Sequence, residues 1–167
     1  MLHPSERFAS EARQILAAER ALLRRYGIPG DLVLVGGSSV PGALTKGDVD
    51  LHLRVMGAEF DTVVAACRSL HTVVHPEIWQ PTLATFEVAA SLPTGLAVTP
   101  VGSEHDLRFT RVWRLLADDP RLVTAYNEAK LAGEIGGPDY EQRKSDFFDS
   151  VLRQWPGDPA EAGANDA

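Results

Sequence analysis

Residues 31–55 read DLVLVGGSSVPGALTKGDVDLHLRV. The pattern predicts a strand over 32–35, a turn at Gly36, Gly37, Ser38 and Ser39, a bend at Pro41-Gly42, and a second strand carrying Asp48, Asp50 and His52. Alternate residues of a strand share one face about 6.5 to 7 Å apart, so Asp48 and Asp50 project together beside the turn. That suits a Mg²⁺ ion, which is held by one or two carboxylates plus substrate phosphates, while N–H groups of a glycine-rich turn cradle phosphate oxygens. The same residues also admit a plain turn followed by an acidic, solvated strand face.

Outside this stretch the 167 residues, 44% hydrophobic and 23% charged, fit one domain over residues 1–155. No apolar run reaches the length of a membrane span, and MLHPSERFAS lacks the basic-then-apolar order of a signal peptide, so a cytoplasmic protein is expected. Cys67 is the single cysteine and falls in the apolar pattern of a helix, which excludes an internal disulfide and a cysteine-based zinc cluster. The formal charge is −7, with Asp158, Glu161 and Asp166 contributing three of the negative charges. Such a balance weighs against bulk nucleic-acid binding, which rests on a basic surface, and leaves a small nucleotide with its own Mg²⁺ compatible.

Ser5 is placed to cap a helix over 6–26, with Arg13, Arg20, Arg24 and Arg25 on a solvated face. A second helix opens at Gly57, with Phe60, Val63, Val64, Cys67 and Leu70 on one side. Strands follow at 71–79, 82–91 and 96–101, making five in the sheet core of 31–101. In the fourth, Glu87 shares a face with Leu83, Thr85 and Ala89, a charged group set among apolar neighbours. Helices are expected over 104–116, from a cap at Asp119-Pro120 to Leu131, and from Pro138 to residue 155; residues 156–167 have nothing to bury and are expected to be disordered.

The order of hydrophobic strand, Gly36-Gly37-Ser38, about ten residues, then Asp48-Val49-Asp50 resembles the signature of the polymerase-beta-like nucleotidyltransferase superfamily. Ser39-Val40-Pro41-Gly42, Lys46, Asp50, Phe109, Arg114, Pro120, Tyr126 with Lys130 and Tyr140 with Lys144 resemble, more narrowly, the GrpB family of that fold. The likeness implies an α/β (α+β) nucleotidyltransferase-like fold, a mixed sheet of about five strands with helices packed on it and a C-terminal helical segment. It also implies a Mg²⁺ (or Mn²⁺) site on Asp48 and Asp50, completed by a third carboxylate for which Glu87 is the candidate. Gly36, Gly37, Ser38, Ser39 and Lys46 would take the nucleotide phosphates, and His52 could touch phosphate. Lys130 and Lys144 read as surface lysines over core tyrosines. Three departures mark a divergent member or a neighbouring branch: Lys46-Gly47-Asp48-Val49-Asp50 pairs aspartates where the family tends to read Lys-Pro-Ile-Ile-Asp, 95–99 lacks the family's strand histidine, and Phe109-Thr110 stands where the family's third helix starts Phe-Arg. The implied activity is Mg-dependent transfer of a nucleotide from a nucleoside triphosphate to an unidentified small-molecule or protein acceptor; the alternative is a non-catalytic nucleotide- or coenzyme-binding module.

Overall fold

In chain order the elements are β1 (His3–Pro4), α1 (Ala9–Arg25), β2 (Asp31–Val35), β3 (Leu44–Thr45), β4 (Val49–Val55), α2 (Phe60–Leu70), β5 (Thr72–Val73), β6 (Ala84–Val88), β7 (Thr94–Pro100), α3 (Glu104–Asp118), α4 (Pro120–Leu131) and α5 (Tyr140–Gln154). They are seen in a computed structural model that describes residues 1–154. Trp155 and the segment expected to be disordered, 156–167, lie outside the described residues. The main sheet runs β2-β4-β7-β6-β5, with β4 and β7 parallel and every other pair antiparallel. This is the mixed five-strand sheet with packed helices that the sequence implied; a short β1–β3 ribbon stands beside it.

The alternation of β4 divides the molecule. Val49, Leu51, Leu53 and Val55 point to one face, where they join Ala12, Ile15 and Leu23 of α1 and Phe60, Val63 and Cys67 of α2 in the larger core. Asp50, His52 and Arg54 point to the other face, which the three C-terminal helices partly cover. Those helices build a second core from Val112, Leu116, Val123 and Tyr126, with Trp113, Phe147 and Phe148 packed against it. The uncovered remainder of that face is where a ligand has room.

Several expectations shift. Ser5 does not cap the first helix: its Oγ donates to the Val40 carbonyl at 2.7 Å and its N–H to the Ala43 carbonyl at 2.9 Å. A 3₁₀ turn at Ser5–Arg7 therefore precedes α1, because buried carbonyls of the glycine-rich turn needed those donors. Arg20 is not a purely solvated residue either, since its Nε and Nη2 hold the Leu32 carbonyl at 3.0 and 2.7 Å. The long strand expected over 71–79 shrinks to Thr72–Val73. His75 turns left-handed (φ 48°), Pro76 offers no N–H, and the side chains of Trp79 and Thr85 take the Val74 carbonyl. Asp119 caps α4 as expected, accepting from the Arg121 N–H, with Pro120 at the first helical position.

At the start of α3, Asp106 is fully buried and accepts from Arg54 Nε at 2.6 Å, Arg54 Nη2 at 3.0 Å and the Gly102 N–H at 2.8 Å. Removing one partner of a buried charge pair leaves the other uncompensated. Asp106→Ala should lower unfolding free energy by about 3 kcal/mol in urea titrations. A loss under about 1 kcal/mol would show that water already screens the pair.

Candidate functional site

The turn between β2 and β3 and the start of β4 are locked together by hydroxyl groups. Ser38 is buried and its Oγ donates to the Asp48 carbonyl; Ser39 Oγ donates to the Gly36 carbonyl at 2.7 Å. Thr45 Oγ1 donates to Asp48 Oδ1 at 3.1 Å and accepts from the Gly47 N–H at 3.0 Å. The hydroxyls of Ser38 and Ser39 thus serve the turn itself. Gly36 has φ 77°, and a Cβ built on it would lie 2.0 Å from Asp50 Oδ2. Only glycine leaves the Asp50 carboxylate this seat, both by conformation and by space.

Above the sheet is a cavity of about 500 Å³, within the range of small-molecule sites. Gly36, Gly37, Thr45, Lys46, Asp48 and Asp50 line its turn end. Burial, and next the neighbouring Asp48 carboxylate, push the Asp50 carboxyl up to about 6, against the pull of Lys144 and Lys130. Three ammonium groups line the same cavity. Lys46 Nζ lies 4.6 Å and Lys144 Nζ 5.3 Å from the Tyr140 ring centroid, and Lys130 Nζ 4.8 Å from that of Tyr126. Lys130 is not a surface lysine: it is 4% exposed and donates to the Leu44 carbonyl. Burial, then Lys144, drive its ammonium down to about 8, although Asp48 and Asp50 oppose this.

Register places the third expected carboxylate. Asp50 pairs with Gly95, and Gly95 pairs with Glu87 on the next strand, so Glu87 is on the Asp50 row and face but two strands away, on the order of 10 Å. It is exposed and lines the same cavity. Among the described residues no three His, Cys, Asp or Glu side chains gather as a set able to hold a metal ion, so the expected three-carboxylate cluster is not assembled in this arrangement. His52 is also placed differently from a phosphate contact. It is fully buried, its Nε2 is 2.7 Å from Thr99 Oγ1 and 3.7 Å from Asp106 Oδ1, and burial pushes it down to about 4, leaving the ring neutral.

A divalent cation fits the paired aspartates on two observations. Both donors are hard carboxylate oxygens, and their mutual repulsion with partial burial already disfavours a second negative charge, which a cation would relieve. Sequence reading missed Thr45 as the residue that orients Asp48. It also underrated Lys130 and Lys144, for which the repeated Tyr-x-x-x-Lys spacing was the available signal: each lysine lies one turn after the tyrosine it covers.

No family model matches the sequence. The chain is 30% identical over 122 residues to the UPF0157 protein VC_A0354 of Vibrio cholerae, covering 72% of this chain and 64% of that protein, somewhat under two thirds of its length. In fold it is similar to the conserved protein GrpB from Enterococcus faecalis, with a TM-score of 0.70, 14% identity, and coverage of 92% of this chain and 96% of that one. It also superposes on the MgGTP-bound Cid1 poly(U) polymerase with a TM-score of 0.55 and 17% identity, over 77% of this chain and 43% of that one.

The Asp50 carboxyl, raised from 3.8 to about 6, holds its proton more tightly when folded, so metal-free stability declines as pH rises from about 4 to about 6 and the deficit persists above. Asp50→Asn, which mimics the protonated form, should therefore stabilise the metal-free protein by about 3 kcal/mol near pH 8, with the gain vanishing near pH 4. Melting curves across that range check the sign; a mutant less stable near pH 8 would contradict it.

Proposed function

We propose, from the chain's likeness in sequence to the UPF0157 protein and in fold to GrpB and the Cid1 polymerase, that it is a cytoplasmic Mg²⁺- or Mn²⁺-dependent nucleotidyltransferase acting on a nucleoside triphosphate and a small-molecule or protein acceptor. The observation that carries this reading is one cavity lined both by an acid pair, Asp48 and Asp50, and by Lys46, Lys130 and Lys144. Asp48 and Asp50 would hold the ion, which when bound offsets the charge building on the reacting phosphate. Backbone N–H groups at Gly36 and Gly37 and the three ammonium groups receive the phosphate oxygens, while Ser38 and Ser39 keep the turn in shape. Glu87, facing the cavity across Gly95, takes the proton of the acceptor hydroxyl. The acceptor oxygen bonds to the α-phosphorus, the α–β bridging bond breaks, and pyrophosphate leaves with the electron pair. The net charge of −7 favours a small acceptor over a polynucleotide.

One observation favours a second reading, a nucleotide- or coenzyme-binding module without turnover. The strand position directly beside Asp50 is Gly95, which brings no carboxylate, and Glu87 stands one strand further out.

Titration with Mg²⁺ and a triphosphate should raise the melting temperature through linkage, and Asp50→Asn should abolish the gain. Label transfer from a triphosphate in cell extract then separates enzyme from binder. Glu87→Gln should keep binding and reduce transfer by at least about a hundredfold, since a proton-transfer interaction is lost from the transition state. Undiminished transfer in Glu87→Gln would remove that residue from the mechanism, and a metal response surviving in Asp50→Asn would remove the metal site.

A further inference from the structure

Gly95 sits inside the ladder of β7, the central strand of the sheet, paired on one side with Asp50 of β4 and on the other with Glu87 of β6. A glycine there forgoes side-chain packing and adds freedom to the unfolded chain, so it weakens the strand. The fold supplies none of the usual reasons for one. Its backbone is not left-handed, unlike that of Gly36. The register with both neighbouring strands runs through it unbroken, so it marks no bulge. Among the described residues beyond its chain neighbours, a Cβ built on Gly95 would meet one atom within 4 Å, Asp50 Oδ1 at 3.8 Å, an ordinary van der Waals contact.

The space above the residue belongs to the cavity. Gly95 is exposed although two strands flank it on each side, and it lines the cavity together with Asp50 and Glu87. It is a bare stretch of backbone between the carboxylate that would hold the ion and the one that would take the proton. Neighbouring strands lie about 4.8 Å apart, so a group reaching from Asp50 to Glu87 passes directly over the Gly95 Cα. Glycine within a strand is the residue expected where a ligand approaches the backbone closely.

We infer that Gly95 is a ligand-contact residue: the α-phosphate of the bound nucleotide rests on its backbone, and the missing side chain is what admits it. This rests on the nucleotide reading of the cavity, in which the reacting phosphate lies between Asp50 and Glu87. The β- and γ-phosphates go to the turn and the lysines and do not need that space. Gly95 takes no part in bond making; it sets how closely the reacting phosphate approaches the sheet.

The test compares the wild-type protein, Gly95→Ala and Gly57→Ala. Each is titrated, with Mg²⁺ present, with the common ribonucleoside triphosphates and with inorganic pyrophosphate, which lacks the α-phosphate and the nucleoside. Gly57 is the control, because a Cβ there also meets nothing within 4 Å and the residue does not line the cavity. Without ligand, Gly95→Ala should melt at or above the wild-type temperature, since alanine fits this backbone without strain. It should bind pyrophosphate as the wild type does. The triphosphate that the wild type prefers should bind at least about tenfold more weakly, because a methyl group would occupy the seat of the α-phosphate. Gly57→Ala should match the wild type throughout. A lower ligand-free melting temperature in Gly95→Ala, or its failure to fold, would show that the fold itself requires the glycine and would overturn the inference. Unchanged triphosphate affinity would overturn it too, and so would an equal loss for triphosphate and pyrophosphate, which would place the effect in the acid pair. In each of these cases the wild-type protein still binds a triphosphate and the nucleotide reading stands. No binding of any triphosphate by the wild type would overturn that reading, and this inference with it.

Discussion

The Asp50 carboxylate occupies the space that a side chain at residue 36 would fill, and the arrangement of the turn follows from that seat. Gly36 must be bare and must adopt φ 77°, a conformation that other residues rarely take. Because Val35 pairs with Asp50 in register, the chain leaves β2 directly beneath the carboxylate and has to turn away at once. The turn it makes is held by Ser38 on the Asp48 carbonyl and by Thr45 on the Asp48 side chain, so the two aspartates are oriented by the loop they accompany. Ser5 reaches the same loop from the N-terminal side through the Val40 carbonyl.

Two repelling sets of charge then share one cavity. Burial and the Asp48 carboxylate raise the cost of ionising Asp50, and burial and Lys144 raise the cost of charging Lys130, while attraction between the sets limits both effects. A ligand with separated charge, anionic phosphates toward the lysines and a cation between phosphate and carboxylate, resolves both repulsions together. The overall charge of −7 hides this local balance, because a field inside a cavity is set by the groups that line it.

What the sequence disclosed was whatever short-range rules govern. The alternation around Asp48 and Asp50, the Gly36-Gly37 turn, the Asp119-Pro120 cap and the apolar stripe of α2 each depend on neighbours a few residues away, and each took the expected form. Lys130 escaped because its burial is produced by the Leu44 carbonyl, 86 residues distant, and by a tyrosine whose own burial comes from two other helices. The run 71–79 misled because its apolar residues are buried by folding back. Trp79 packs edge-on against Phe86 and donates to Val74 and Thr85, which covers apolar surface without ladder pairing. Glu87 lay between these cases: its face followed from alternation, but its distance from Asp50 needed the strand order, which placed β7 between them.

The strand order also has a consequence for the nascent chain. Asp48 and Asp50 leave the ribosome with Lys46, but well before Lys130 of α4 and Lys144 of α5, the other ammonium groups of the cavity. β4 must likewise wait for β7 to gain its parallel neighbour. A fragment that stops before α4 holds two aspartates without those counter-charges and without the helices that roof them. Assembly of the cavity therefore waits on contacts between segments far apart in the chain.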